Sequence, residues 1–147
     1  MNVLKFLIIS VALAGTSVLS SCKKEGCIDS SSVNYSADAK KDDGSCKYEG
    51  EAVIWYGEDT SQELMLQGVS TLKFYVDSKL VGSTSASVYW ASAPACGANG
   101  SITITKDLGS AKNKTYTYTV EDDLGFTVAG GILNFEANSC ESVEIVY

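Results

Sequence analysis

The 147-residue chain contains no histidine, no arginine and a single proline. Without histidine the commonest general base is missing, and serine or cysteine triads of the usual composition cannot be assembled. The imidazole ligand is lost from any zinc site as well, and the cysteines form no C-x-x-C pair, so metal ligation by thiolates is not indicated. Lysine alone carries positive charge, at scattered positions and against an excess of acids, which argues against a nucleic-acid partner. Gly130-Gly131 is followed by no lysine and no strand-to-helix pattern, so a phosphate loop is not indicated either. The remaining catalytic option is paired carboxylates, Glu58 with Asp59 or Glu121 with Asp122 and Asp123. Adjacent acids on a strand or turn read as a solvated edge that discourages sheet pairing. No catalytic residue and no cofactor is assigned, and the chain is read as a non-enzyme.

What is present begins at the N-terminus. Lys5 precedes an apolar run from Phe6 to Leu19, and Ser20-Ser21 lead to Cys22. The run is shorter than the roughly 20 residues a membrane-spanning helix needs, and it contains Ser10, Gly15, Thr16 and Ser17. Residues 1–21 therefore read as a signal peptide. Leu19-Ser20-Ser21-Cys22 resembles the lipobox of bacterial lipoproteins, which implies cleavage before Cys22 and lipidation of its sulfur. Each buried methylene contributes about 0.8 kcal/mol, so two or more acyl chains anchor stably where one holds marginally. In the tether, residues 22–25, Lys23-Lys24-Glu25 loosely resembles the charged export signals of Bacteroidetes lipoproteins. That resemblance implies an outer-membrane anchor with surface exposure.

Five cysteines are odd in number for an exported protein, and lipidation of Cys22 restores even parity. The remaining Cys27, Cys46, Cys96 and Cys140 allow three pairings. Cys27 with Cys46 and Cys96 with Cys140 is favoured, because each bond then closes a loop within one segment. In the chain-entropy picture those loops contribute about 3 and about 4 kcal/mol, in an oxidising compartment.

Residues 26–48 form a polar, cysteine-bracketed segment with a turn signal at Asp43-Gly44. Gly26, Cys27, Asp29, Asn34, Tyr35, Ala39, Asp42, Asp43, Gly44, Ser45, Cys46 and Tyr48 match in register a repeat of secreted and surface proteins of marine and Bacteroidetes bacteria. Ile28 and Ser32-Val33 depart from it. The resemblance implies an extracellular spacer or structural module without known activity. Asp29, Asp38, Asp42, Asp43 and Asn34 could supply calcium with oxygens. Aligning Gly44 with the EF-hand glycine, however, puts Ala39, Lys41 and Gly50 at ligand positions. Asp29, Asp42 and Asp43 thus remain weak metal candidates, and Asx turns are the favoured reading.

From residue 51 to 147 the apolar period is two, the mark of strands with one buried face. Val53 and Trp55 share a face; so do Leu72, Phe74 and Val76; Ile102 and Ile104; Tyr116, Tyr118 and Val120; Leu133 and Phe135; and Val143, Ile145 and Tyr147. Asp77-Ser78 predicts a hairpin from about Leu72 to Ser83, and Thr60-x-x-Glu63 predicts a capping box opening one helical turn. The expected fold is all-β, a small and mainly antiparallel β-sandwich. Cys96 and Cys140 each precede a strand, so their bond is expected to pin two loops at one end.

Ile54-Trp55, Tyr75-Val76-Asp77 with Leu80-Val81-Gly82, Cys96-Gly97, Tyr116, Tyr118 and Cys140 follow the order seen in small Bacteroidetes lipoprotein domains. That resemblance implies a transthyretin-like or carboxypeptidase-regulatory-like sandwich.

Broad rings with polar edges make Trp55, Tyr56, Tyr89 and Trp90 stacking candidates for sugars. Trp55 reads as core. Tyr89 and Trp90, in a loop before Pro94, are the candidate ligand-binding pair. The expected role is a lipid-anchored structural or interaction module of the cell envelope, with a glycan or protein ligand. The alternative is a glycan-binding accessory of an outer-membrane uptake system.

Overall fold

Alternating side chains build seven strands into two packed sheets in the computed structural model, which describes residues 23–147. Cys22 and the signal segment lie outside the described residues. In chain order the elements are β1 (Tyr48–Trp55), α1 (Glu58–Leu66), β2 (Thr71–Val76), β3 (Lys79–Ser85), β4 (Ile102–Gly109), β5 (Asn113–Glu121), β6 (Thr127–Glu136) and β7 (Cys140–Glu144). One sheet runs β4-β1-β7 and the other β3-β2-β5-β6. Every pairing is antiparallel except β1 with β7. The chain crosses from one sheet to the other between β6 and β7. Because β6 ends beside the start of β1, the returning strand must run the same way as β1.

The core lies between the sheets. Phe74, Val76, Val120, Leu133 and Phe135 come from one, and Ala52, Ile54, Ile104, Leu108 and Ile145 from the other or its end. These faces match the expected alternation in β2, β4, β5 and β6. Leu108 extends the β4 face beyond the predicted pair. Tyr147 departs from the predicted β7 face: it is half exposed, and its hydroxyl donates to Gln67 Oε1 at 2.7 Å. At the β4–β5 end, Tyr116 meets Phe135 edge to face at 5.5 Å, and Lys106 Nζ sits 4.5 Å from the Tyr116 ring centroid. Gly50 permits the sheets to converge there, since a Cβ at that position would stand 2.7 Å from the Glu136 carbonyl oxygen.

In β1 the inward phase is Tyr48, Ala52 and Ile54, continued by Tyr56; it is not the predicted Val53 and Trp55. Val53 is nonetheless fully buried. β1 is the central strand of its sheet, and the long β3–β4 loop covers its outer side. Cys96 of that loop is bonded to Cys140, the Gly97 N–H donates to Thr103 Oγ1 at 2.9 Å, and the Trp90 N–H donates to the Tyr56 carbonyl at 3.0 Å. A strand covered on both faces has a continuous apolar run, which hides its phase.

Both expected disulfides are formed, Cys27–Cys46 and Cys96–Cys140. Cys140 opens β7 opposite Glu51, so the second bond draws the loop over the outer face of the sheet and does not tie two loops at one end. The β2–β3 hairpin turns at Asp77 and Ser78, with φ of 52° and 60°. Both residues are left-handed, as a two-residue turn matched to strand twist requires. The helix starts earlier than the sequence suggests. Gly57 is its N-cap without a side-chain cap bond, so Thr60-x-x-Glu63 is not a capping box. Thr60 is buried inside α1, and the Ser61 hydroxyl donates to the Ala86 carbonyl at 2.7 Å. Leu64 of α1 completes the core.

Phe135 is fully buried between the sheets. Phe135→Ala is expected to cost about 3–5 kcal/mol, read from urea denaturation. A loss below about 1 kcal/mol would contradict this core assignment.

Candidate functional site

The polar module folds by directing its short side chains at its own backbone. Asp29 Oδ1 accepts the Ser31 N–H at 3.0 Å and the Ser31 hydroxyl at 2.7 Å, and the Ser32 hydroxyl donates to the Asp29 carbonyl at 2.8 Å. Asn34 bridges to the far side of the disulfide loop. Its Nδ2 donates to the Ser45 carbonyl and its Oδ1 accepts the Lys47 N–H, each at 2.8 Å. Asp42 accepts the Gly44 N–H and Asp43 the Ser45 N–H, around a Gly44 with φ of 73°. Hydrogen bonds from Ser45 hold the Asp43 carboxyl below the usual range. Ala39 packs beneath Gly26, and Lys24–Asp38 and Lys41–Glu25 ion pairs flank the tether. Tyr35 is half exposed, and nothing in the structure explains its place in the motif.

The weak metal candidates do not converge. Asp42 and Asp43 each cap a turn, Asp29 faces the sandwich, and no three acidic or cysteine side chains form a metal-sized group among the described residues.

The junction of module and sandwich is a polar contact shared by three side chains, Asp29, Tyr48 and Lys112. Tyr48 ends the module motif and also opens β1, with its ring buried in the core cluster. Its hydroxyl donates to Asp29 Oδ2 at 2.9 Å, and Lys112, between β4 and β5, places Nζ 2.6 Å from the same oxygen. Lys112 Nζ also lies 5.7 Å from the Tyr48 ring centroid. The Lys112 contact, with the Ser31 and Tyr48 hydrogen bonds, holds the Asp29 carboxyl well below the usual carboxylate range. Burial of the Tyr48 ring, together with its bond to Asp29, pushes the phenol up, and Asp29 likewise raises Lys112. Cys46 packs against the core from the module side. Beside this joint, Val33 of the module and Glu49, Glu51 and Thr105 of the sheet line a cleft of about 260 Å³.

The stacking candidates separate. Tyr56 is core: its hydroxyl donates to the Ser85 carbonyl at 2.8 Å, and burial pushes its pKa up to about 12. Trp55 is half-buried, on the phase opposite the core. Tyr89 and Trp90 do lie in a loop, where Tyr89 is 44% exposed and Trp90 half-buried.

The paired carboxylates sit at a helix start and at the end of β5 and its turn. Glu58 and Asp59 occupy the first turn of α1, where the helix dipole favours negative charge. Asp122 is buried and accepts the Leu124 and Phe126 N–H groups at 2.9 and 2.8 Å, forming the β5–β6 turn. Asp123 accepts the Ser70 N–H at 3.1 Å, which depresses its pKa. Lys112 had no signal in the sequence, because its partner Asp29 is 83 positions away and the contact depends on how the β4–β5 connection meets the module.

No protein family, no curated protein and no solved structure matches the chain.

Because the Asp29 pKa is depressed in the folded state, its stabilising effect is full above the ordinary aspartate value of about 4 and is lost as pH falls below it. Wild type should therefore exceed Asp29→Asn in urea midpoint at neutral pH, with the gap narrowing in acid. A gap independent of pH would contradict the ion-paired role.

Proposed function

We propose that this protein is an exported lipoprotein, anchored through acyl chains on Cys22, that displays a disulfide-braced sandwich as a structural or interaction module at the cell envelope. The observation that carries this reading is the joint at Asp29, Tyr48 and Lys112. It fixes the module to the sandwich, so the two are displayed together as one body. A freely jointed linker would need no such contact. The resemblance of Leu19-Ser20-Ser21-Cys22 to a lipobox supports the anchor, and Lys23-Lys24-Glu25 supports transfer to the outer membrane. Two disulfides suit an oxidising compartment. The paired acids are engaged in turns and a helix start, which favours a display role over catalysis.

A second reading, glycan binding, is favoured by the exposed Tyr89 ring beside Trp90. On that reading, Tyr89→Ala abolishes binding on a glycan array while leaving thermal melting unchanged; an array without any hit removes it.

The anchor is tested by metabolic fatty-acid labelling joined to protease shaving of intact cells. Labelled wild-type protein, removed by shaving, with an unlabelled Cys22→Ala chain, is the expected result. Equal labelling of both chains would overturn the lipid assignment, and protection from protease would place the protein on an inner face.

A further inference from the structure

The strand directions give the molecule two unlike poles. β1 begins beside the module, and β4 and β6 end there. The opposite pole carries α1, the β5–β6 turn and the chain end after β7. Two bonds gather these parts: the Ser70 N–H to Asp123 Oδ1, and the Tyr147 hydroxyl to Gln67 Oε1. Leu66, Leu124, Phe126 and Val146 are 82, 78, 68 and 77% exposed at this pole.

The β5–β6 turn fixes the backbone from which two of those side chains project. Asp122 receives the N–H groups of both Leu124 and Phe126 on one oxygen, its own N–H donates to the Phe126 carbonyl at 2.9 Å, and Gly125 supplies a φ of 87°. A turn needs no large apolar residues, and neither side chain contributes to the core. Rigid apolar anchors bind with little ordering entropy to lose, which is how a small patch becomes an effective contact.

Charge identifies the partner. Glu58, Asp59 and Glu63 of α1, Glu121 at the end of β5, Asp123 in the β5–β6 turn and Glu144 at the end of β7 all belong to elements of this pole. Lys73, opposite Glu121 in the β2–β5 register, is the one lysine near it among the described residues. The other described lysines lie in the module, at the β2–β3 turn and along β4 and the start of β5. An acidic rim around apolar anchors opposes an anionic membrane surface and complements a cationic amphipathic segment.

We propose that the pole opposite the module docks a cationic, amphipathic segment of a partner protein, with Leu124 and Phe126 as its apolar anchors. This deepens the display role above by naming the displayed surface and the chemistry it fits. It is tested without the lipid, so its failure is distinct from failure of the anchor.

The experiment uses the full chain carrying Cys22→Ser, exported and purified, and a fluorescent amphipathic helix composed of leucine and lysine as the probe. Saturable binding by anisotropy is expected. Affinity should fall about tenfold or more with Leu124→Ser combined with Phe126→Ser, the scale of losing a buried anchor. Glu63→Gln with Glu144→Gln should weaken binding at low salt while leaving thermal melting unchanged, and Ile132→Ser, on the outer face of the larger sheet, should leave affinity unchanged. The proposal is overturned by absence of binding, by equal binding of a leucine and glutamate helix, or by equal affinity in the anchor variants. It is also overturned if Leu124 and Phe126 instead drive binding to phosphatidylcholine vesicles or a dimer in sedimentation.

Discussion

Tyr48 belongs to two structures at once, and the rest of the molecule is organised around that fact. Its ring fills the sandwich core at the start of the central strand, while its hydroxyl meets the module's Asp29 carboxylate. A tyrosine suits this position because it joins a large apolar body to a polar tip. Lys112 then closes the arrangement from the β4–β5 connection, satisfying Asp29 and lying over the same ring. The module has almost no core of its own: besides Tyr48, which it shares with the sandwich, Cys27 and Ala39 are its buried apolar residues. A segment so poor in apolar residues is held by its disulfide, by turns capped by its own side chains, and by the wall it leans on.

The second organising element is the return of the chain from β6 to β7. It places Cys140 beside β1, where a disulfide can hold the β3–β4 loop over the outer side of the smaller sheet. The central strand is thereby covered on both faces, although the sheet has only three strands. The loop serves as a partial third layer. This accounts for a small sandwich with a fully buried valine on its outward phase.

Much of this was legible in the sequence. Threonine and tyrosine alternating through β5 fixed its inward face, Asp77-Ser78 marked the hairpin turn, and loop closure within segments gave both disulfide pairings. Other features were hidden for identifiable reasons. The run Ala52-Val53-Ile54-Trp55 has no period when both faces are covered, so the wrong pair was expected inward. Thr60 and Glu63 have capping-box spacing, but Ser61 and Leu64 are needed inside the fold, and the helix extends back to Glu58 to place them. Long-range partners such as Lys112 follow from where the β4–β5 connection meets the module, which local pattern cannot reveal. Tyr89 and Trp90 were correctly placed in a loop, whereas Tyr56 proved to be core.

The central claim is that module and sandwich form one body through the Asp29–Tyr48–Lys112 contact. Backbone nitrogen-15 relaxation of the Cys22→Ser chain tests it most directly. A single rotational diffusion tensor describing amides from Cys27 to Cys46 together with those of the strands is the predicted result. Faster, independent tumbling of the module amides would contradict it.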